Sequence, residues 1–139
     1  MSVPSPDRPP AVVSAVQPVV YYFARDLFFG VRLAEGLARL ALDGRPITVA
    51  TAATLTKGAV LSIIDLSAPT PQWQPLLEAA HAATVPVLAF GSHMDQERWQ
   101  LARRLGADRI VANSQLMEHF TALVERMIGL PGATASSEL

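Results

Sequence analysis

Leu61-Ser62-Ile63-Ile64-Asp65-Leu66-Ser67-Ala68-Pro69 decides the fold of this chain. An apolar run suited to a strand buried on both faces stops on a carboxylate, and a proline follows four residues later. In an open parallel α/β sheet, ligands and chemistry sit at the carboxyl ends of the strands. Asp65 is therefore the first candidate functional residue.

Strand and helix patterns alternate on either side of this stretch. Pro18 to Ala24 is apolar throughout and reads as a first buried strand. Asp26 can cap the helix that follows, where Phe29, Leu33, Leu37 and Leu40 recur at helical spacing and Gly44 closes the run. Ile47-Thr48-Val49-Ala50 is expected as a short second strand and Gly58 to Ile64 as the third. Thr70 then caps a helix with Pro71 at its first position, and Trp73, Leu76, Leu77 and Ala80 form its buried face. Pro86 to Phe90 is the fourth strand. A helix runs from the Gly91-to-Asp95 turn to Leu105 and ends at Gly106. Arg109 to Ala112 is the fifth strand. Ser114 caps a last helix striped by Leu116, Phe120, Leu123 and Met127.

Five strands with helices between them imply a doubly wound parallel sheet with right-handed crossovers. One link is short. Only Thr51 to Lys57 separates the expected second and third strands, whereas a parallel crossover takes a dozen residues or more. The second helix is therefore expected to be reduced or missing. Residues 1–16 are proline-rich and are expected to be a disordered tail, as are residues 130–139, which leaves one domain at 17–129.

Composition narrows the function classes. Half of the 139 residues are apolar, 17% are charged and the net charge is −1, which describes a globular domain without the basic face of a nucleic-acid binder. Cysteine is absent, so thiolate chemistry and disulfides are excluded. No signal peptide and no apolar run of membrane length is present, so a cytoplasmic location is the default. His81, His93 and His119 lie on different elements without metal-ligand spacing. Ser92, His93 and Asp95 share one strand-to-helix turn, where such residues serve as caps rather than as a catalytic triad.

The whole body resembles the receiver domain of bacterial response regulators, including the single-domain chemotaxis type. Three stretches carry the resemblance. They are Asp65 to Pro69 for the phosphoacceptor and its downstream proline, Val85 to Phe90 for the fourth strand, and Ala102-Arg103-Arg104-Leu105-Gly106-Ala107 leading into the fifth. The resemblance implies a flavodoxin-like five-stranded sheet in the order 2-1-3-4-5. It also implies a pocket of two acids for Mg²⁺, a phosphoacceptor Asp, a Thr or Ser after the fourth strand and a Lys after the fifth. Phosphoryl transfer depends on such charge stabilisation and positioning.

The pocket residues depart from that pattern. Arg25-Asp26 stands where two acids are expected, Gly91 and then Ser92 at the Thr/Ser position, and Asn113 at the Lys. Asp65 is kept. The resemblance thus implies a degenerate receiver with a vestigial phosphoacceptor, no catalytic residue, no metal ligands and no cofactor, since Mg²⁺ would lack an acid. An Arg25 guanidinium paired with Asp65 is expected to take the ion's place. Such a module is not an enzyme and works by docking on another protein or as a homodimer, with no role for nucleic acid or membrane. In receivers the partner face is built from the fourth helix, fifth strand and fifth helix; here it would use Met94, Trp99, Arg103, Asn113, Met117 and Phe120. Two alternatives stay open. One is a small-ligand or nucleotide-binding flavodoxin-like domain, including an enzyme, with Arg25 and the helix start near Ser92 holding an anion. The other is a working phosphoacceptor at Asp65 with an atypical pocket.

Overall fold

The computed structural model describes residues 17–48, 51 and 58–129. Strand β1 (Val19–Phe23) leads to α1 (Leu27–Arg39), β2 (Asp43–Pro46), β3 (Leu61–Asp65), α2 (Thr70–Ala82) and β4 (Val87–Gly91). After these come α3 (Gln96–Arg104), β5 (Arg109–Ala112), α4 (Asn113–Glu118) and α5 (Phe120–Ile128). The five strands form one sheet in the order β2-β1-β3-β4-β5, and every neighbouring pair is parallel. This is the doubly wound, flavodoxin-like arrangement expected from the sequence.

Alternation along the strands divides the core between the two sheet faces. Val20, Ile63, Leu88, Phe90 and Val111 meet Leu33 and Leu37 of α1 and Val124 of α5. Tyr21, Ile64, Val87 and Ala89 meet Trp73 and Leu77 of α2 and Ala102 of α3. All residues of β3 and β4 are buried, which is why these two strands read as unbroken apolar runs.

The second strand lies earlier than expected, at Asp43–Pro46 rather than 47–50. Helix α1 ends without waiting for Gly44. Ala41 takes a left-handed conformation (φ 61°), its N–H reaches the Ala38 carbonyl and the Leu42 N–H reaches that of Leu37. These two bonds form a Schellman end built without glycine. Gly44 is instead a strand residue, and its lack of a side chain matters because a Cβ there would lie 2.8 Å from Leu37 Cδ1. With β2 ending at Pro46, fourteen residues lead to Leu61, enough for an ordinary crossover. The shortage inferred from sequence therefore disappears. The reduced second helix concerns residues 49–57, of which all but Thr51 lie outside the described residues, as do both expected tails.

Two smaller differences bear on the site. Strand β4 runs one residue further than expected, to Gly91. The last helix is two: α4 stops at Glu118, and α5 starts at Phe120 after a break at His119 (φ −122°, ψ 27°). The break accompanies close packing of α5 on α1, where the Phe120 ring occupies the space a side chain at Gly36 would need. Among the described residues, no helix is long and apolar enough to cross a membrane.

Candidate functional site

Asp65 is the last residue of β3 and is 2% exposed. A carboxylate this deeply buried needs donors, and three are present. The Ser67 main-chain N–H donates to Oδ1 at 2.9 Å and the Ser67 hydroxyl donates to the same oxygen at 2.6 Å. Such a side-chain bond to the N–H two residues on is an Asx turn, and it starts the β3–α2 loop. The main-chain N–H of Arg25 donates to Oδ2 at 3.0 Å. β1 and β3 lie side by side with Phe23 opposite Ile64, so the chain leaving β1 brings its backbone, not its side chain, onto Asp65.

The expected ion pair between the Arg25 guanidinium and Asp65 does not form; Arg25 is exposed, and among the described residues its side chain joins no ion pair. Asp26 caps α1, with Oδ1 accepting the Phe28 N–H at 2.7 Å. The donor set does not fit the magnesium ion that receivers hold at this edge. One acid is engaged as a helix cap, the other is buried among its own donors, and no group of three ligating side chains occurs among the described residues. A hollow of about 350 Å³ is lined by Arg25, Asp26, Leu27, Phe29 and Ser67, and Asp65 is not part of its lining.

Gly91 ends β4 in a buried position, where an added Cβ would sit 3.3 Å from Leu66 Cβ and 3.7 Å from Trp99 Nε1. A side chain there would press on Leu66 and meet the Trp99 indole at ordinary contact distance. Ser92 is exposed, and its Oγ accepts the Met94 N–H at 3.2 Å, a local turn contact. Asn113 opens α4 and is partly buried.

A cation near Asp65 that the sequence reading missed is Arg98 on α3. It donates from a terminal nitrogen to the Leu66 carbonyl at 2.9 Å and sits 3.3 Å from Asp95. It ties α3 to the loop that begins at Asp65. Ser67 was also missed, although an acid followed two residues later by serine is a recognisable turn signal. Nothing in the spacing of Arg98 reveals its contact, which spans 32 residues.

The residues named for a partner face are not brought together. Met94 is 78% exposed and Arg103 is exposed. Trp99 packs into the core on the α2–α3 face, while Met117 and Phe120 pack into the core on the opposite face, beside α1. Among the described residues, the large apolar side chains that are exposed besides Met94 are Leu27, Phe28 and Val31, all on the first turns of α1, with the Arg32 guanidinium 5.5 Å above the Phe28 ring.

Solved structures with the same fold are response-regulator receivers. The non-phosphorylated HemR receiver domain from Leptospira biflexa superposes with a TM-score of 0.68 at 21% identity, covering 82% of this chain and 96% of that one. A CheY-like protein, TadZ, from Pseudomonas aeruginosa gives 0.64 at 20% identity, covering 80% and 99%. The isolated receiver domain of NtrX from Brucella abortus gives 0.65 at 17% identity, covering 80% and 98%. Against the longer NtrX chain from the same organism, this chain spans 29% of the length. No protein-family model and no curated protein matches the sequence. The chain thus has the receiver fold, a flavodoxin-like α/β arrangement.

Proposed function

We propose that this chain is a receiver-type signalling module that acts by protein contact, and that its state is not set by phosphorylation of Asp65. The observation that supports this most is the engagement of the Asp65 carboxylate. It is 2% exposed and accepts from Arg25 and twice from Ser67. An acyl phosphate at either oxygen would break at least one of these bonds and carry a dianion into a site whose usual counter-charges are replaced. Gly91 stands at the hydroxyl position, Asn113 at the cation position and Arg25 at one acid position. Phosphoryl transfer without metal or cation lacks the charge stabilisation on which it depends.

In this reading Asp65 is a structural residue that fastens the end of β1 to the start of the β3–α2 loop. The module then presents one constitutive surface to a partner protein or to a second copy of itself. The test is incubation of the full chain with beryllofluoride and Mg²⁺, followed by thermal unfolding and by amide spectra. No change in midpoint and no shifts around Asp65 are expected. A clear stabilisation with shifts at Arg25, Ser67 and Gly91 would return Asp65 to the working phosphoacceptors.

A further inference from the structure

Among the described residues, strand β5 is an edge of the sheet and pairs only with β4. Between it and α5 lies a cavity of about 180 Å³. Its floor is apolar, formed by Val111 and Leu123 at 4% and 7% exposure. Its rim carries Arg109, Arg126, Gln115 and His119, and among the described residues no carboxylate lines it.

The nearby acids border other hollows, although Glu118 also approaches His119 at the rim. Glu118 and Glu125 border the groove on the α1 side, opposite Arg32 and Arg39. Asp108 accepts the Val87 N–H at 2.8 Å and borders a separate hollow beside His81. Glu118 comes no nearer than 3.8 Å to His119 Nε2, and both side chains are highly exposed. Arg109 and Arg126 take part in no ion pair among the described residues. Gln115 is oriented by its own bond, its Oε1 accepting the Ala112 N–H at 3.1 Å. Its amide N–H₂ is left as a donor at the rim.

Two guanidinium groups held on a strand and a helix around one cavity, without counter-charge, match a doubly charged oxyanion. The buried apolar floor matches a hydrocarbon body attached to it. We propose that this cavity binds a small phosphate monoester carried on an apolar group. The phosphate lies between Arg109 and Arg126 with Gln115 as a further donor, and the apolar group rests on Val111 and Leu123. The site is separate from Asp65, so it stands or falls independently of the function proposed above.

The experiment is a titration of the ¹⁵N-labelled full chain with phenyl phosphate at low salt, read from amide shifts. Saturable shifts confined to Arg109–Gln115 and Ala122–Arg126 are expected, with an affinity in the millimolar range or better. R109Q and R126Q are each expected to weaken binding roughly tenfold, and added salt is expected to weaken it progressively. Both arginines are exposed, so these variants retain the fold, and unchanged amide positions elsewhere check this. Phenol at the same concentrations is expected to give no shifts at the rim. Absence of shifts at about 20 mM ligand would overturn the site, since binding weaker than that is non-specific. Equal binding by both variants would overturn it too, as would shifts centred on Arg25 and Ser67.

Discussion

Replacing Asp65 by asparagine separates a structural carboxylate from a phosphoacceptor held open for chemistry. In this structure Oδ1 takes two bonds from Ser67 and Oδ2 one from the Arg25 main chain. Asparagine has a single acceptor oxygen. If that oxygen keeps the Ser67 pair, the amide N–H₂ faces the Arg25 N–H, donor against donor, in a site only 2% exposed. Turned the other way, it deserts Ser67. Hydrogen bonds to a charged acceptor contribute about 1.5–3 kcal/mol each, and a buried donor left without a partner costs about 1–3 kcal/mol. Asp65→Asn should therefore destabilise the domain by about 2 kcal/mol, which for a domain of this size lowers the midpoint by roughly 8 °C. Circular dichroism on heating, with urea unfolding at 25 °C, measures both quantities. In an open acidic pocket the same substitution relieves charge repulsion and is neutral or stabilising. An unchanged or raised midpoint would refute the assignment of Asp65 as a fastening residue.

Two further perturbations test how the frame around the site is built. Thr84 follows α2 in a left-handed conformation (φ 57°), with its own N–H on the His81 carbonyl and the Val85 N–H on that of Ala80. A β-branched residue is strained there, so Thr84→Gly should raise stability by about 0.5–1 kcal/mol in urea titrations, and a loss would contradict the strain argument. Gly36→Ala should act in the opposite sense. The added Cβ would lie 2.6 Å from the Phe120 ring, and the separation of α1 and α5 that follows should cost about 1–3 kcal/mol; hydrogen exchange should show α5 opening first.

The sheet order was implied only by the resemblance to receivers, whereas the strand-ending carboxylate and the alternation of strand and helix were legible in the residues themselves. The causes of these two are local or statistical: unbroken apolar runs mark strands covered on both faces, and helical spacing marks the elements that cover them. β5 was placed at its observed bounds, after the helix end that Gly106 marks. The second strand was misplaced because the end of α1 depends on Ala41 adopting a conformation usually reserved for glycine, which composition does not announce. The break at His119 was also hidden, because it depends on how closely Phe120 can approach a glycine on another helix.

The site divides along the same line. From the residues alone one can see that Asp65 lies at a strand end; the resemblance to receivers implied that Gly91 and Asn113 stand where a hydroxyl and a cation are expected. Which groups bind the carboxylate was decided by tertiary structure. Its partners are a main-chain amide 40 residues away and a serine in its own turn, and a backbone N–H carries no sequence signature. The gathering of Arg109, Gln115 and Arg126 around one apolar floor likewise needs the strand and two helices in place. Side-chain type is written in the sequence, whereas the company each side chain keeps follows from packing.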